Sequence, residues 1–180
     1  MSDSTISKAQ ASDAKAIAHM VTTAYRGESG KKGWTSEASM LGGSRTDEAD
    51  IKSILATPDQ VMLVKKSSGQ EGAEFEACVM LQKRPSDTAY LGMLTTNVER
   101  QAKGTGSAML KAAEEFVVRE WNSKRMEMTV ISLRTELINW YTKRGYRVTN
   151  EKRPYPAETR FGIPLVEGLE FNVLEKDLTT

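Results

Sequence analysis

Residues 95–110 read TTNVERQAKGTGSAML and join the end of an apolar, strand-like run to the start of a long amphipathic helix. The joint is a polar turn that carries Gly104 and Gly106. Such a turn gathers unpaired backbone N–H groups at a helix N-terminus, where the helix dipole adds partial positive charge. The glycines let a bulky anion approach the backbone, and Arg100 and Lys103 add flexible positive charge beside it. The stretch therefore predicts a phosphate-binding turn between a strand and a helix.

Two common phosphate-binding motifs do not fit this turn. A P-loop requires Gly-Lys-Ser or Gly-Lys-Thr after a second glycine, whereas Gly106 is followed by Ser107 and Ala108. A dinucleotide fingerprint requires a third glycine where Met109 stands, and its first glycine should follow the strand almost at once. Two interpretations of the turn remain. It is either a phosphate-binding loop of another kind or a glycine-rich helix start that binds no ligand.

Composition narrows the class of protein. At 180 residues the chain is long enough for a sizeable core and shows no break in composition, so we expect one domain over residues 1–180. The 25 Lys and Arg nearly balance the 24 Asp and Glu, which argues against a nucleic-acid partner. There is no signal-peptide pattern and no apolar run that could span a bilayer, which indicates a cytoplasmic protein without a membrane partner.

The single cysteine and the single histidine give no sign of a catalytic or metal centre. Cys78 lies in an apolar run and is interpreted as a core residue of a protein in a reducing compartment. His19 lies off the apolar stripe of its helix and has no second histidine with which to share a metal. We therefore expect no metal site.

The periodicity predicts an α+β fold with a mixed, mostly antiparallel sheet of six to seven strands and about four helices. Three successive strands on short turns predict an antiparallel meander, and the following strand–helix–strand order predicts a right-handed crossover that pairs two strands in parallel. The predicted strands are 6–10, 60–66, 75–83, 88–96, 126–131, 146–149 and 169–176. The predicted helices are one that follows Ser12, then 47–56, 105–122 and 134–144.

Two motifs together resemble the GNAT acyltransferase family. Residues 101–106, QAKGTG, are similar to the family's Gln/Arg-x-x-Gly-x-Gly/Ala loop, which holds the pyrophosphate of coenzyme A. Trp140-Tyr141, followed after three intervening residues by Gly145-Tyr146, is similar to the family's late motif, an aromatic-Tyr pair on a helix. The order of elements along the whole chain also matches the family. One departure is that residues 132–134, SLR, lack the Asn that contacts pantetheine in many members, so no side chain is assigned that role.

The resemblance implies transfer of an acetyl group from acetyl-CoA to an amine. It implies that backbone N–H groups polarise the thioester carbonyl where the strand ending near Thr96 diverges from the strand ending near Ile131. It also implies that Tyr141 protonates the leaving thiolate. The cofactor-binding residues that follow from the resemblance are Leu94, Thr95, Thr96, Gln101, Ala102, Lys103, Gly104, Thr105, Gly106 and Ser107.

The acceptor side is expected in two irregular segments, residues 34–47 and 153–164, which carry aromatic residues. The candidate acceptor-side residues are Trp34, Glu37, Arg45, Asp47 and Tyr155. For the first segment, an anchoring aromatic with helix-cap charges is an equal alternative. The base that deprotonates the amine is Glu28, Glu37, Asp47 or a water relay, because the family has no single base motif.

The sequence leaves the acceptor, the oligomeric state and the catalytic activity undecided. The acceptor is a small-molecule amine or a peptide amine, since a fold does not specify it. A homodimer is an open alternative to a monomer. A non-catalytic, CoA-binding regulatory protein with the same fold is the alternative to an N-acetyltransferase.

Overall fold

Four α-helices and nine strands form the part of the chain that the computed structural model describes, residues 5–27, 36–67, 75–99, 104–158, 160 and 162–179. The helices are α1 (Ala14–Arg26), α2 (Glu48–Ala56), α3 (Thr105–Trp121) and α4 (Thr135–Thr142). The strands are β1 (Ile6–Lys8), β2 (Leu41–Gly42), β3 (Gln60–Lys66), β4 (Phe75–Arg84), β5 (Thr88–Thr96), β6 (Arg125–Ile131), β7 (Arg147–Pro154), β8 (Ile163–Pro164) and β9 (Glu170–Asp177). None of the described helices is long and apolar enough to cross a membrane.

The main sheet has seven strands within the described residues, in the order β1-β3-β4-β5-β6-β9-β7. Every neighbouring pair is antiparallel except β5 and β6, which the crossover through α3 brings together in parallel. The predicted α+β class, mixed sheet, meander and parallel pair are therefore confirmed. A separate two-stranded sheet joins β2 to β8, and the sequence did not predict it because two-residue strands carry no periodicity.

The helices cover the two faces of the sheet. The apolar stripe that the helical spacing of α1 predicts is buried, and so is most of the predicted stripe of α3, where Trp121 is partly buried. On one face, Ile17 and Val21 of α1 pack with Met62, Val64 and Cys78, and α2 adds to the same cluster. On the other face, α3 and α4 cover the second core cluster. The buried apolar residues of α3 are Met109, Leu110, Ala113, Phe116 and Val117. His19 is exposed, as its place off the stripe indicated.

A β-bulge in β5 lies just past the point at which this strand stops pairing with β6. Met93 has a left-handed backbone with φ +51°, and Met93 and Leu94 together lie opposite Val79 of β4. The Thr95 hydroxyl donates to the Met93 carbonyl at 2.9 Å, which holds the bulge. β5 pairs with β6 over three residues, the last of which is Tyr90, and the strands then separate. The predicted divergence near the ends of these strands is confirmed.

Several boundaries differ from the predictions for local reasons. Asp47 is not part of α2 but its N-cap, and its carboxylate accepts the N–H of Asp50 at 2.7 Å. A 3₁₀ turn at Ala11–Asp13 precedes α1, so Ser12 does not cap it. β7 continues to Pro154, well past the predicted end at 149. It is an exposed edge strand rich in charged residues, and its apolar alternation is too weak to predict its length.

We expect Met109→Ala to lower the free energy of unfolding by about 2–4 kcal/mol, because Met109 is fully buried between α3 and the sheet. Val118→Ala on the same helix is the control, since Val118 is 41% exposed and its truncation should change stability by about 0.5 kcal/mol or less. Urea denaturation of both variants measures the difference. Equal losses would contradict the assignment of this helix face to the core.

Candidate active site

A cavity of about 430 Å³ lies where β5 and β6 separate. Its walls come from both strands, from α1 and α4, and from the segment that follows β7. This volume is typical of small-molecule sites. Past Tyr90, the edge of β5 that faces β6 has no strand partner among the described residues. Buried backbone donors need partners, so this edge can bind a polar ligand group.

Tyr141 of α4 lies in the cavity wall and is 5% exposed. Its ring packs edge-to-face against Trp140 at 5.0 Å and Tyr146 at 5.6 Å between centroids, which fixes its orientation. Within the described ranges, no hydrogen bond engages its hydroxyl group. Burial raises the pKa of Tyr141 well above its usual value, Tyr25 raises it further, and Arg134 opposes the shift. The hydroxyl therefore stays protonated near neutral pH and can donate a hydrogen bond to a ligand.

Tyr25 connects α1 to the bulge. Its hydroxyl donates to the Leu94 carbonyl at 3.1 Å, and both residues line the cavity. Burial raises the pKa of Tyr25 to about 12, Glu37 adds to the shift, and Arg45 and Arg134 oppose it. The periodicity of α1 predicted that Tyr25 is buried, but it gave no sign of a role at the site.

A buried ion cluster of Arg26, Glu37 and Arg134 lines the cavity. Arg26 Nη2 lies 3.3 Å from Glu37 Oε2 and Arg134 Nη1 lies 3.5 Å from Oε1, with all three side chains at most 11% exposed. Arg26 also donates to the Gly42 carbonyl at 3.2 Å. Gly162 packs against the Arg26 guanidinium group and leaves no space for a side chain. Its backbone φ of +108° is also one that favours glycine. The cluster thus ties α1, α4 and the β2–β8 sheet together.

A second ion cluster, Arg84–Glu127–Arg153, lies at the narrow end of the cavity, where β5 and β6 still pair. Arg84 Nη1 and Arg153 Nη1 contact the same Glu127 oxygen at 2.7 and 2.9 Å. Arg84 stacks over the Tyr90 ring at 4.1 Å, and the Tyr90 hydroxyl is 2.8 Å from Thr129 Oγ1. No sequence pattern predicted this cluster, because its members are separated by many residues along the chain.

The N-terminus of α3 lies next to the end of β5. Gly104 caps the helix with φ +94°, and the space beside Gly106 is bounded by Thr96 and Trp140, each 3.7 Å from where a Cβ would lie. Arg144 donates to Ser107 Oγ at 2.8 and 3.2 Å and stacks on Trp140 at 3.6 Å. A guanidinium group therefore accompanies the helix N-terminus, which favours an anion there. The sequence motifs did not identify Arg144.

The structure brings many of the predicted site residues to one place. Those that line the cavity are Glu37, Arg45, Leu94, Tyr141 and Tyr155. Thr95 is fully buried behind the bulge, and Thr96 borders the N-terminus of α3. Asp47 is exposed at the start of α2 and is not part of the cavity lining. The described part of the chain contains no group of three residues that could hold a metal ion.

Some predicted residues lie outside the described ranges. They are Glu28, Trp34, Arg100, Gln101, Ala102 and Lys103. The predicted roles of these residues therefore stay predictions.

The sequence matches the family model described as "Acetyltransferase (GNAT) family" over residues 33–146. No curated protein matches this chain. Solved structures share the fold over nearly the whole chain, at identities too low to show more. One is an N-acetyltransferase from Staphylococcus aureus Mu50, with a TM-score of 0.70, 12% identity and coverage of 98% of both chains.

Two further structures are similar to the same extent. The ribosomal-protein-S18-alanine N-acetyltransferase from Escherichia coli has a TM-score of 0.68 and 15% identity, with 98% of this chain and 94% of that chain covered. A structure from Salmonella typhimurium, solved with its cofactor acetyl-CoA, has a TM-score of 0.67 and 16% identity, with 97% and 93% covered.

We expect Glu37→Gln to destabilise the protein by about 3 kcal/mol, because it leaves two buried guanidinium groups without the carboxylate that they share. Glu115→Gln is the matched control. Glu115 pairs with Lys111 on the surface of α3, where both side chains are more than half exposed, so the loss should be about 0.5 kcal/mol or less. Chemical denaturation measures both values, and a small effect at Glu37 would show that the cluster is not a structural link.

Proposed function

The chain belongs to the acetyltransferase (GNAT) family, and from this premise we propose that it transfers an acetyl group from acetyl-CoA to an amine. One observation carries the proposal. The buried Tyr141 hydroxyl and the open edge of β5 line the same cavity, and the N-terminus of α3 lies at the end of β5. This arrangement offers a proton donor, backbone donors and an anion site to one extended thioester.

The pyrophosphate of acetyl-CoA is assigned to the start of α3. The backbone N–H groups of residues 102–107 would bind it, with positive charge from Arg144 beside Ser107. Gly104 and Gly106 leave the backbone open to the phosphates. From there the pantetheine arm would enter the gap between β5 and β6.

The thioester is assigned to the bulge. Leu94, Thr95 and Thr96 lie past the point at which β5 loses its β6 partner, while β4 still pairs with Thr95 and Thr96. Successive N–H groups of a strand alternate between its two sides, so those of this segment that face the unpaired edge can donate to the carbonyl oxygen as it gains charge. Because the bulge is held by hydrogen bonds from Thr95 and Tyr25, these donors need little reorganisation during the reaction.

Tyr141 is assigned the role of donor to the sulfur of the leaving group. Its raised pKa keeps the hydroxyl protonated, and the positive charge of Arg134 favours the tyrosinate if the proton is transferred fully. The amine attacks the thioester carbon, the carbon–sulfur bond breaks, and the thiolate accepts the Tyr141 proton. The cavity water that takes a proton from the amine returns one to Tyr141, whose raised pKa favours its reprotonation.

The attacking amine must lose its own proton, because an alkylammonium has a pKa of about 10.4. Glu37 is the carboxylate that lines the described part of the cavity, and arginines contact both of its oxygens. Asp47 caps α2 instead. Glu28 lies outside the described residues and stays a candidate. Among the candidates in the described part of the chain, we assign the deprotonation to water in the cavity. The non-catalytic alternative is distinguished by a simple result: acetyl-CoA binding without CoA release across a panel of amines.

We expect Gly106→Val to weaken acetyl-CoA binding by about tenfold or more, because its methyl groups would fill the space beside Thr96 and Trp140. Gly106→Ala is the control, since its Cβ makes only ordinary contacts at 3.7 Å and should change the affinity by about threefold or less. Calorimetric titration compares the variants, and thermal melting verifies that both fold. Unchanged affinity in folded Gly106→Val protein would place the pyrophosphate elsewhere.

We expect Tyr141→Phe to lower the single-turnover rate of acetyl transfer by on the order of a hundredfold, the usual scale for one general acid, while acetyl-CoA affinity stays nearly constant. The control is Tyr146→Phe, which removes a neighbouring hydroxyl that donates to Glu114 at 2.9 Å rather than lining the cavity. It should alter stability but leave the rate within about twofold.

The pH profile gives a second readout for Tyr141. Burial raises its pKa, so the donor form persists as the pH rises, and Tyr141 should cause no loss of activity below about pH 10. The rate should therefore increase with pH as the acceptor amine loses its proton. Equal single-turnover rates in wild type and Tyr141→Phe would remove this residue from the mechanism.

A further inference from the structure

The described part of the cavity has a strong excess of positive charge. Five arginines line it, and Glu37 is the acidic residue among the described lining residues. Glu127 adds a second carboxylate through its contacts with two of these arginines. The five arginines are Arg26, Arg45, Arg84, Arg134 and Arg153. Their number departs from the near balance of charge in the whole chain, so the excess is local to this site.

We propose that the acceptor is a small amine that carries a carboxylate, in the manner of a free amino acid, and that Arg45 binds this carboxylate. The inference rests on the proposed acetyl transfer and names the class of acceptor for it. A guanidinium group suits this ligand, because its fork of N–H donors matches a carboxylate and it keeps its charge at any working pH.

Arg45 is the arginine best placed for this role. It is half-buried, lines the cavity, and lies over the Tyr25 ring with 5.5 Å between its guanidinium carbon and the ring centroid. No carboxylate contacts it among the described residues, whereas Arg84 and Arg153 both contact Glu127. Its charge is therefore oriented by an aromatic ring and remains open to an anionic ligand.

Tyr25 also sets the distance between the carboxylate and the reacting carbon. Its ring contacts Arg45, and its hydroxyl donates to the Leu94 carbonyl beside the proposed thioester site. One tyrosine side chain thus separates the two points that the acceptor must reach. An acceptor whose amine and carboxylate are close together, as in an amino acid, can bind Arg45 and present its amine to the thioester.

The charge also disfavours the opposite class of acceptor. A polyamine keeps further ammonium groups after one amine has reacted, and these would lie among the arginines as like charges. The cavity of about 430 Å³ is of small-molecule size. These two features select a compact anionic amine over a polyamine or a long peptide.

The test compares acceptors that differ only in the carboxylate. Leucine, methionine, phenylalanine and glutamate are each assayed beside the corresponding amide and the decarboxylated amine, with spermidine and an acidic-N-terminal peptide as further arms. Rates of CoA release are divided by the fraction of unprotonated amine, since the pKa of the amine differs within each set. We expect kcat/KM to be at least about tenfold higher for the best amino acid than for its amide and amine.

Variants of Arg45 test the residue assignment. Arg45→Gln should raise KM for the amino acid by about tenfold, with little change for its amide or for acetyl-CoA, and Arg45→Glu should reverse the preference. Arg119→Gln is the matched control, because Arg119 is 68% exposed on α3 and does not line the cavity. Calorimetry with the N-acetylated amino acid and N-acetylated amine adds a binding readout that needs no turnover.

Each outcome of these experiments either supports or overturns the assignment of the acceptor. Preferential acetylation of amino acids, lost in Arg45→Gln, supports the inference. Higher kcat/KM for an amide, an uncharged amine, spermidine or the peptide, or an unchanged KM in Arg45→Gln, overturns it while acetyl transfer stands. If acetyl-CoA binds but no acceptor in any arm releases CoA, the proposed function fails, and the acceptor assignment fails with it.

Discussion

The early end of pairing between β5 and β6 is the constraint on which the site depends. Two parallel strands that paired along their full length would leave no space between them and no free backbone donors. Pairing stops after Tyr90, a bulge with a left-handed residue at Met93 follows, and hydrogen bonds from Thr95 and Tyr25 hold this bulge in place. The cavity therefore originates in the path of the backbone, and the side chains around it stabilise that path and determine the chemistry of the site.

The two ends of the cavity are held in the same way, by one carboxylate between two guanidinium groups. Glu127 does this where β5 and β6 still pair, and Glu37 does so between α1 and the start of α4. Each cluster joins elements that are distant in sequence, so it fixes how far the strands and helices separate. The arrangement leaves more positive than negative charge on the walls, and the same residues therefore act in structure and in ligand selection.

The features of the fold that the sequence predicted are those set by patterns of neighbouring residues. The meander, the crossover and the buried faces of the helices follow from periodicities of two and 3.6, and the glycine turn before α3 follows from backbone chemistry. The sequence did not predict Tyr25, Arg84 or Arg144 as site residues, because their positions depend on contacts across the fold. Asp47 shows why a single residue is ambiguous. An acidic residue before a helix can cap the helix or line a binding pocket, and the structure shows that Asp47 caps α2.

The burial of Cys78 has a practical consequence. This residue is the single cysteine of the chain, lies fully inside the core beneath α1, and its thiol contacts the Met93 carbonyl at 3.8 Å. Burial raises the pKa of the Cys78 thiol to about 12, so the reactive thiolate form is scarce at neutral pH. In the folded protein, Cys78 should therefore not react with maleimides or disulfide reagents. A second cysteine introduced on the surface could then be labelled selectively with a fluorophore.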